Sequence, residues 1–128
     1  MKKRRIFISH AGGDGEWVRA FAQSLKAQGV QVWLDELQIP AGERQEKAME
    51  QGFRDSDVVA FVITSDNVRG PNLLFELGAA IAMRKRAVPI VSKEVEPSEL
   101  PYPLRARRSL LRESPQETAK KLLAETAA

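Results

Sequence analysis

Short apolar runs alternate along the chain with longer amphipathic stretches. Arg5–Ser9 (RIFIS), Val30–Leu34 (VQVWL), Asp57–Thr64 (DVVAFVIT) and Ala87–Val91 (AVPIV) have the length and the β-branched and aromatic content of strands, and Arg108–Leu111 is a shorter fifth. The third run is almost unbroken in its apolarity, the pattern of a strand buried on both faces of a parallel sheet. Pro89 suggests that the fourth lies toward an edge or at a bulge. Four helices fall between and after these runs. In Glu16–Gln28, Trp17, Phe21 and Leu25 recur every four residues with Val18 and Ala22 beside them; Arg44–Arg54 has a thin apolar face of Ala48, Met49 and Phe53, as of a surface helix able to shift. Pro71–Arg84 is the third helix, and the last runs from Ser114 or Pro115 to about Ala124 with Leu122 and Leu123 docking on the sheet. Asp14 is a candidate N-cap and Gly29 a candidate C′ residue, while Glu94–Arg107, with prolines at 97, 101 and 103, reads as irregular.

Strand and helix alternate five times, so the expected class is α/β: a flavodoxin-like three-layer sandwich with a five-stranded parallel sheet of order 2-1-3-4-5 and helices on both faces. The whole of residues 1–128 reads as one domain, with no repeat and no linker. In that strand order the ligand crevice lies outside the carboxyl ends of strands one and three, where the order reverses. The loops Ser9–Gly15 and Thr64–Gly70 meet there, and the second leads into Pro71–Arg84. In that helix Leu73, Leu74, Leu77 and Ile81 share an apolar face and Ala79, Ala80, Ala82 and Met83 cover much of the rest, which predicts a mostly buried helix. It carries one carboxylate, Glu76, in its early turns. An acid there has a plain explanation, since anions are favoured near a helix N-terminus. The topology adds a second one by bringing Glu76 to the mouth of the crevice.

Composition narrows the chemistry. With 43% hydrophobic and 29% charged residues the chain is an ordinary globular one, and with no cysteine it has neither disulfides nor thiolate chemistry and fits a reducing cytoplasm. No run approaches the ~20 apolar residues of a membrane span, so a cytoplasmic protein without a membrane partner is expected. The net charge of +3 is mild, and the basic knots Lys2–Arg5, Arg84–Arg86 and Arg105–Arg108 lack interleaved aromatics. They read as solvated flanks with at most weak affinity for polyanions, and no direct nucleic-acid partner is expected. One histidine and scattered carboxylates make a poor metal set, so none is expected, and no cofactor. No Walker or dinucleotide glycine motif is present. Ser9 and His10 sit on opposite faces of a strand, which argues against a Ser-His-Asp hydrolase with Asp14.

A single carboxylate beside glycine-rich loops is sufficient where the leaving group is already good. The bond between ribose and a positively charged nicotinamide is such a case: nicotinamide departs neutral and needs no general acid. Backbone N–H groups of the Ala11–Gly13 turn could face a pyrophosphate.

Four stretches, FISHAGGD, VWLDELQIPAGE, SDVVAFVITSDNV and FELGAAIA, together resemble a bacterial TIR (Toll/interleukin-1 receptor) domain across nearly the full length. The resemblance implies the strand order derived above and, as many bacterial members do, cleavage of NAD+ to nicotinamide and ADP-ribose or a cyclic isomer, in defence or signalling. It implies that Glu76 is catalytic. It places His10 and Ala11 in the loop that contacts the nucleotide, and Trp33 and Asp35 where side chains approach the site. It makes Asp35–Glu43 a BB loop serving self-assembly with other TIR domains, with a sensor protein as a possible further partner. Many active members carry Trp four residues before the glutamate, where this chain has Asn72. Ser9 and Gly42 complete the expected binding set, although ending a strand and shaping a loop would account for them equally well. Two other readings stand beside this one: a non-catalytic TIR–TIR interaction module, and glycosyl transfer of the nucleoside deoxyribosyltransferase kind, which shares the ELGAA-type helix segment but has no counterpart of the BB-loop stretch.

Overall fold

The computed structural model describes residues 4–11, 14–34 and 45–127, the side chains of 45–49 excepted. The expected BB loop, with Asp35 and Gly42, lies outside these residues, as do Gly12, Gly13 and the side chains of Ala48 and Met49. Five parallel strands, β1 (Arg5–Ser9), β2 (Gln31–Leu34), β3 (Val58–Ile63), β4 (Arg86–Val91) and β5 (Leu110–Leu111), form one sheet of order β2-β1-β3-β4-β5. The helices are α1 (Gly15–Ala27), α2 (Gln45–Arg54), α3 (Pro71–Ala82), a four-residue α4 (Tyr102–Arg105) and α5 (Pro115–Glu125).

Alternation along each strand divides the interior into two layers. Ile6, Ile8, Ala60, Val62 and Ile90 meet Phe21, Leu25 and Leu122 of α1 and α5 on one face. Phe7, Val59, Phe61, Ile63 and Val91 meet Phe53, Leu73, Leu77 and Leu104 of α2, α3 and α4 on the other. All six residues of β3 are buried, as its unbroken apolarity predicts. Phe53 anchors α2 by an edge-on contact with Phe7, ring centroids 4.5 Å apart. Burying such a side chain contributes about 1.5–3 kcal/mol, and among the described residues Phe53 is the apolar anchor of α2 in this layer. Gly52 permits that approach: a β-carbon there would come within 2.7 Å of the Phe7 ring.

Punctuation behaves as the residue types require. Gly29 ends α1 at φ +85, and the Ser114 hydroxyl accepts a hydrogen bond from the Glu117 N–H at 3.1 Å to start α5. One expectation is corrected. Asp14 occupies the N-cap position of α1 but makes no side-chain cap bond; its carboxylate accepts from Arg112 Nη1 at 3.0 Å instead. β4 lies next to the edge strand, and because β5 pairs only Ile90 and Val91, Pro89 is unpaired on its outer side, in keeping with the expected position toward an edge. Within the stretch expected to be irregular, Pro97–Glu99 forms a single 3₁₀ turn ahead of α4.

The largest correction concerns α3. Its buried residues are Leu73, Glu76, Leu77 and Ala80, whereas Leu74, Phe75 and Ile81 are exposed at 55%, 56% and 41%. The helix is therefore half exposed and turned relative to the expected face. Apolar residues surround it, so hydrophobic period alone leaves its rotation open. Leu73, Leu77 and the fully buried Ala80 join the core layer on this side of the sheet and mark the inward face. The consequence is functional: Glu76 sits within the inward face and not at its border.

Candidate functional site

The site is built where β1 and β3 end. Parity of the strand sends Ser9 to the same face as Phe7, the face that α3 covers, and Ser9 is buried. His10 follows, also buried. Its Nδ1 lies 2.8 Å from the Ala11 carbonyl. A carbonyl only accepts, so Nδ1 carries the proton and the ring orientation is set. The same carbonyl accepts the Asp14 N–H at 3.1 Å, closing the turn after β1.

The loop after β3 is held by one side chain. Asn67 accepts from the Thr64 N–H at 2.9 Å and donates to the Val62 carbonyl at 3.0 Å, so its amide finishes the strand as a further backbone unit would. The Thr64 hydroxyl takes the Asp66 N–H at 3.2 Å. With the loop pinned, Gly70 enters α3 in an extended conformation and Pro71 takes the first helical position. Glu76 then lies on the second turn, 6% exposed. The first turn of α3 holds no acidic residue, and among the described residues the acid that shares the cleft with Glu76 is Asp66.

Ser9, His10 and Ala11 from the first loop and Asp66, Asn67, Gly70, Pro71, Asn72, Leu73 and Glu76 from the second line one cleft of about 240 Å³. Five of the residues singled out in the sequence, Ser9, His10, Ala11, Asn72 and Glu76, are thus brought together. Trp33 is not on the described wall; it packs against the α3-side core, and its buried indole nitrogen has no hydrogen-bond partner among the described residues. Asp35 and Gly42 lie outside the described residues. Asp66 and Asn67 were not expected in the site. The Ser-Asp-Asn run directly after an apolar strand was the available signal for both, since Asn and Asp commonly close such turns.

A second network steadies the rim. Arg112, just past β5, bonds Asp14 and places its guanidinium 4.4 Å from the centre of the Trp17 ring. The Trp17 indole N–H donates to the Glu113 carbonyl at 3.0 Å. Arg112 thereby ties the far edge of the sheet to the turn that holds Ala11 and His10. Among the described residues no group of three His, Asp or Glu side chains could hold a metal ion, and no helix is long and apolar enough to cross a membrane.

A family model described as TIR domain matches residues 6–123. A 2′ cyclic ADP-D-ribose synthase from Acinetobacter baumannii is 31% identical over 102 residues, which is 76% of this chain and 38% of that protein. An NAD(+) hydrolase from Paracoccus denitrificans is 36% identical over 52 residues, 40% of this chain and 17% of its own length. The chain thus spans well under half the length of these curated relatives. Among solved structures, the TIR domain of a Toll-related receptor from Hydra magnipapillata superposes with a TM-score of 0.72 at 16% identity, covering 95% of this chain and 93% of that one. A CMP N-glycosidase from Clostridium botulinum superposes at 0.64 with 15% identity, covering 93% of this chain and 98% of that one. At these identities the structural likenesses speak to the fold.

Proposed function

From the premise that this chain belongs to the TIR domain family, whose model matches it over residues 6–123, we propose that it cleaves the nicotinamide–ribose bond of NAD+. The carrying observation is the burial of Glu76 in a cleft at the switch point of the sheet, beside Ser9 and His10. The relatives named as a cyclic ADP-ribose synthase and an NAD(+) hydrolase support the reading.

In this reading the bond between ribose C1′ and the pyridinium nitrogen breaks, and its electron pair leaves with nicotinamide, which departs neutral. Positive charge develops on the ribose, and the Glu76 carboxylate stabilises it or holds the ribose hydroxyls. A fixed anion in a water-poor cleft does this without reorganising, which is where such stabilisation is most effective. Attack on C1′ by water gives ADP-ribose, and attack by a hydroxyl of the same molecule gives a cyclic isomer; each releases one proton. The part of the cleft formed by the described residues, about 240 Å³, is assigned to the nicotinamide riboside end. Ser9, His10, Ala11 and Asn72 would contact that end, with Trp33, Asp35 and Gly42 assigned to the remainder of the ligand. Assembly with further TIR domains, through the 35–43 segment and under a sensor partner, would switch the activity on in defence or signalling.

The experiment incubates concentrated protein with NAD+ and resolves products by chromatography over a range of protein concentrations. Free nicotinamide with ADP-ribose or its cyclic isomer is expected, with a specific rate that climbs with concentration. Background release at every concentration sinks the reading and leaves an interaction module. Release of base from CMP or deoxynucleosides with NAD+ intact would turn it toward the glycosyl-transfer alternative.

A further inference from the structure

At the amino ends of parallel strands the covering helices finish, and their last carbonyls carry partial negative charge. Cations there are first of all caps. Arg4 Nη1 donates to the Leu123 carbonyl at 2.8 Å, Arg86 Nη2 to the Glu125 carbonyl at 2.8 Å and Lys85 Nζ to the Arg54 carbonyl at 3.2 Å. These bonds explain why basic residues border the strands, but they leave charge over. Between the starts of β4 and β5 and the end of α5 lies a concave cleft of about 360 Å³, lined by Lys85, Arg86, Arg107 and Arg108, with Glu125 as the one carboxylate on its wall among the described residues.

Carbonyl partners do not neutralise a cation. Arg107 Nη1 bonds the Pro103 carbonyl at 2.6 Å, and among the described residues only Arg108 meets the Glu125 carboxylate, at 3.1 Å with 79% of its side chain exposed. Each guanidinium has five donors, and the bonds above use few of them. Arg84, the residue before this group, has φ +57 in a turn closed by the Lys85 N–H on the Ala80 carbonyl at 2.9 Å. Glycine would occupy that position without strain; the chain has an arginine there instead, continuing directly into Lys85 and Arg86.

We propose that this cleft binds a ligand bearing two adjacent phosphates, such as a nucleoside diphosphate or bare pyrophosphate. Guanidinium forks match phosphate oxygens in paired bonds, and three of the four cations are arginines. The volume suits a compact ligand and is too small for a nucleic-acid duplex. The site lies at the opposite end of the sheet from the Glu76 cleft and does not depend on the reaction proposed there.

Methyl-labelled full chain is titrated with pyrophosphate, ADP and adenosine at low salt. Val88 and Leu110 line this cleft, and Leu73 lines the Glu76 cleft, so their methyl signals report the two sites separately. Pyrophosphate and ADP should shift Val88 and Leu110 saturably while adenosine does not, and the double variant R107Q/R108Q should weaken this at least about tenfold. Tighter binding of ADP than of pyrophosphate would assign the cleft to a nucleoside diphosphate, and equal binding to the bare diphosphate. Shifts confined to Leu73, no saturable shift with either diphosphate, or a folded R107Q/R108Q that binds as the unaltered chain does would overturn the proposal.

Discussion

Helices begin at the carboxyl ends of the strands and finish at the amino ends, so one sheet offers opposite fields at its two ends. The carboxyl end holds a buried acid. Glu76 sits on the second turn of α3, in a cleft whose walls are fixed by the Asn67 amide and by the chain of bonds from Arg112 through Asp14 to the Ala11 carbonyl. The amino end holds exposed cations over helix carbonyls, with ion pairs such as Arg5–Asp57 at 3.1 Å and Arg108–Glu125 at the surface. Asp57 raises the Arg5 pKa above its ordinary value, first through their hydrogen bond, but an arginine is charged at any physiological pH, so the pair acts as a fixed tether. The difference teaches where charge carries energy. Buried, bonded polar groups at the carboxyl end set geometry, while exposed ones at the amino end set a field.

Substitutions can break this contrast in order of expected effect. Arg112→Gln removes the partner of a carboxylate that is 10% exposed, and should cost about 2 kcal/mol of stability in urea unfolding. It should also slow nicotinamide release, because the turn carrying His10 and Ala11 loses its tether. Asn67→Ala leaves the Thr64 N–H and the Val62 carbonyl without their side-chain partner and should cost about 1–2 kcal/mol. Amide hydrogen exchange in residues 64–70 should rise more than in α1. At the amino end the signs change. Arg84→Gly relieves a left-handed arginine and should raise stability by about 0.5–1 kcal/mol in the same assay. Arg108→Gln breaks a surface pair and should shift stability by less than about 0.5 kcal/mol. A loss at Arg108 as large as at Arg112 would erase the contrast.

Most of the architecture was legible because each strand announced itself locally. β3 is apolar throughout, β1 and β2 are short and β-branched, and Gly29, Pro71 and Ser114 punctuate the helices by backbone chemistry that needs no tertiary partner. The strand order followed from the alternation of strand and helix, and the position of Glu76 near the crevice followed from the order. What escaped depended on distant partners. Asp14 looked like a cap because capping is a local preference; Arg112, 98 residues away, outcompetes the helix amides for its carboxylate. α3 presents apolar residues on every side, so nothing in its own period says that Leu74, Phe75 and Ile81 face outward and Glu76 inward. Asn67 was hidden in a loop whose length and polarity were plain but whose hydrogen bonds were not. The basic knots border the strands as solvated flanks, as expected, and the fold adds that Lys85 and Arg86 share one cleft with Arg107 and Arg108.

The central claim is that one buried carboxylate carries the chemistry at the carboxyl end. Glu76→Gln keeps the shape of the side chain and removes its charge, so nicotinamide release from NAD+ by this variant, measured beside the unaltered chain at matched high concentration and with folding checked by thermal melting, tests it most directly. A folded variant whose rate falls by roughly 10²–10³-fold is the predicted result. A folded variant that releases nicotinamide at the unaltered rate would contradict it.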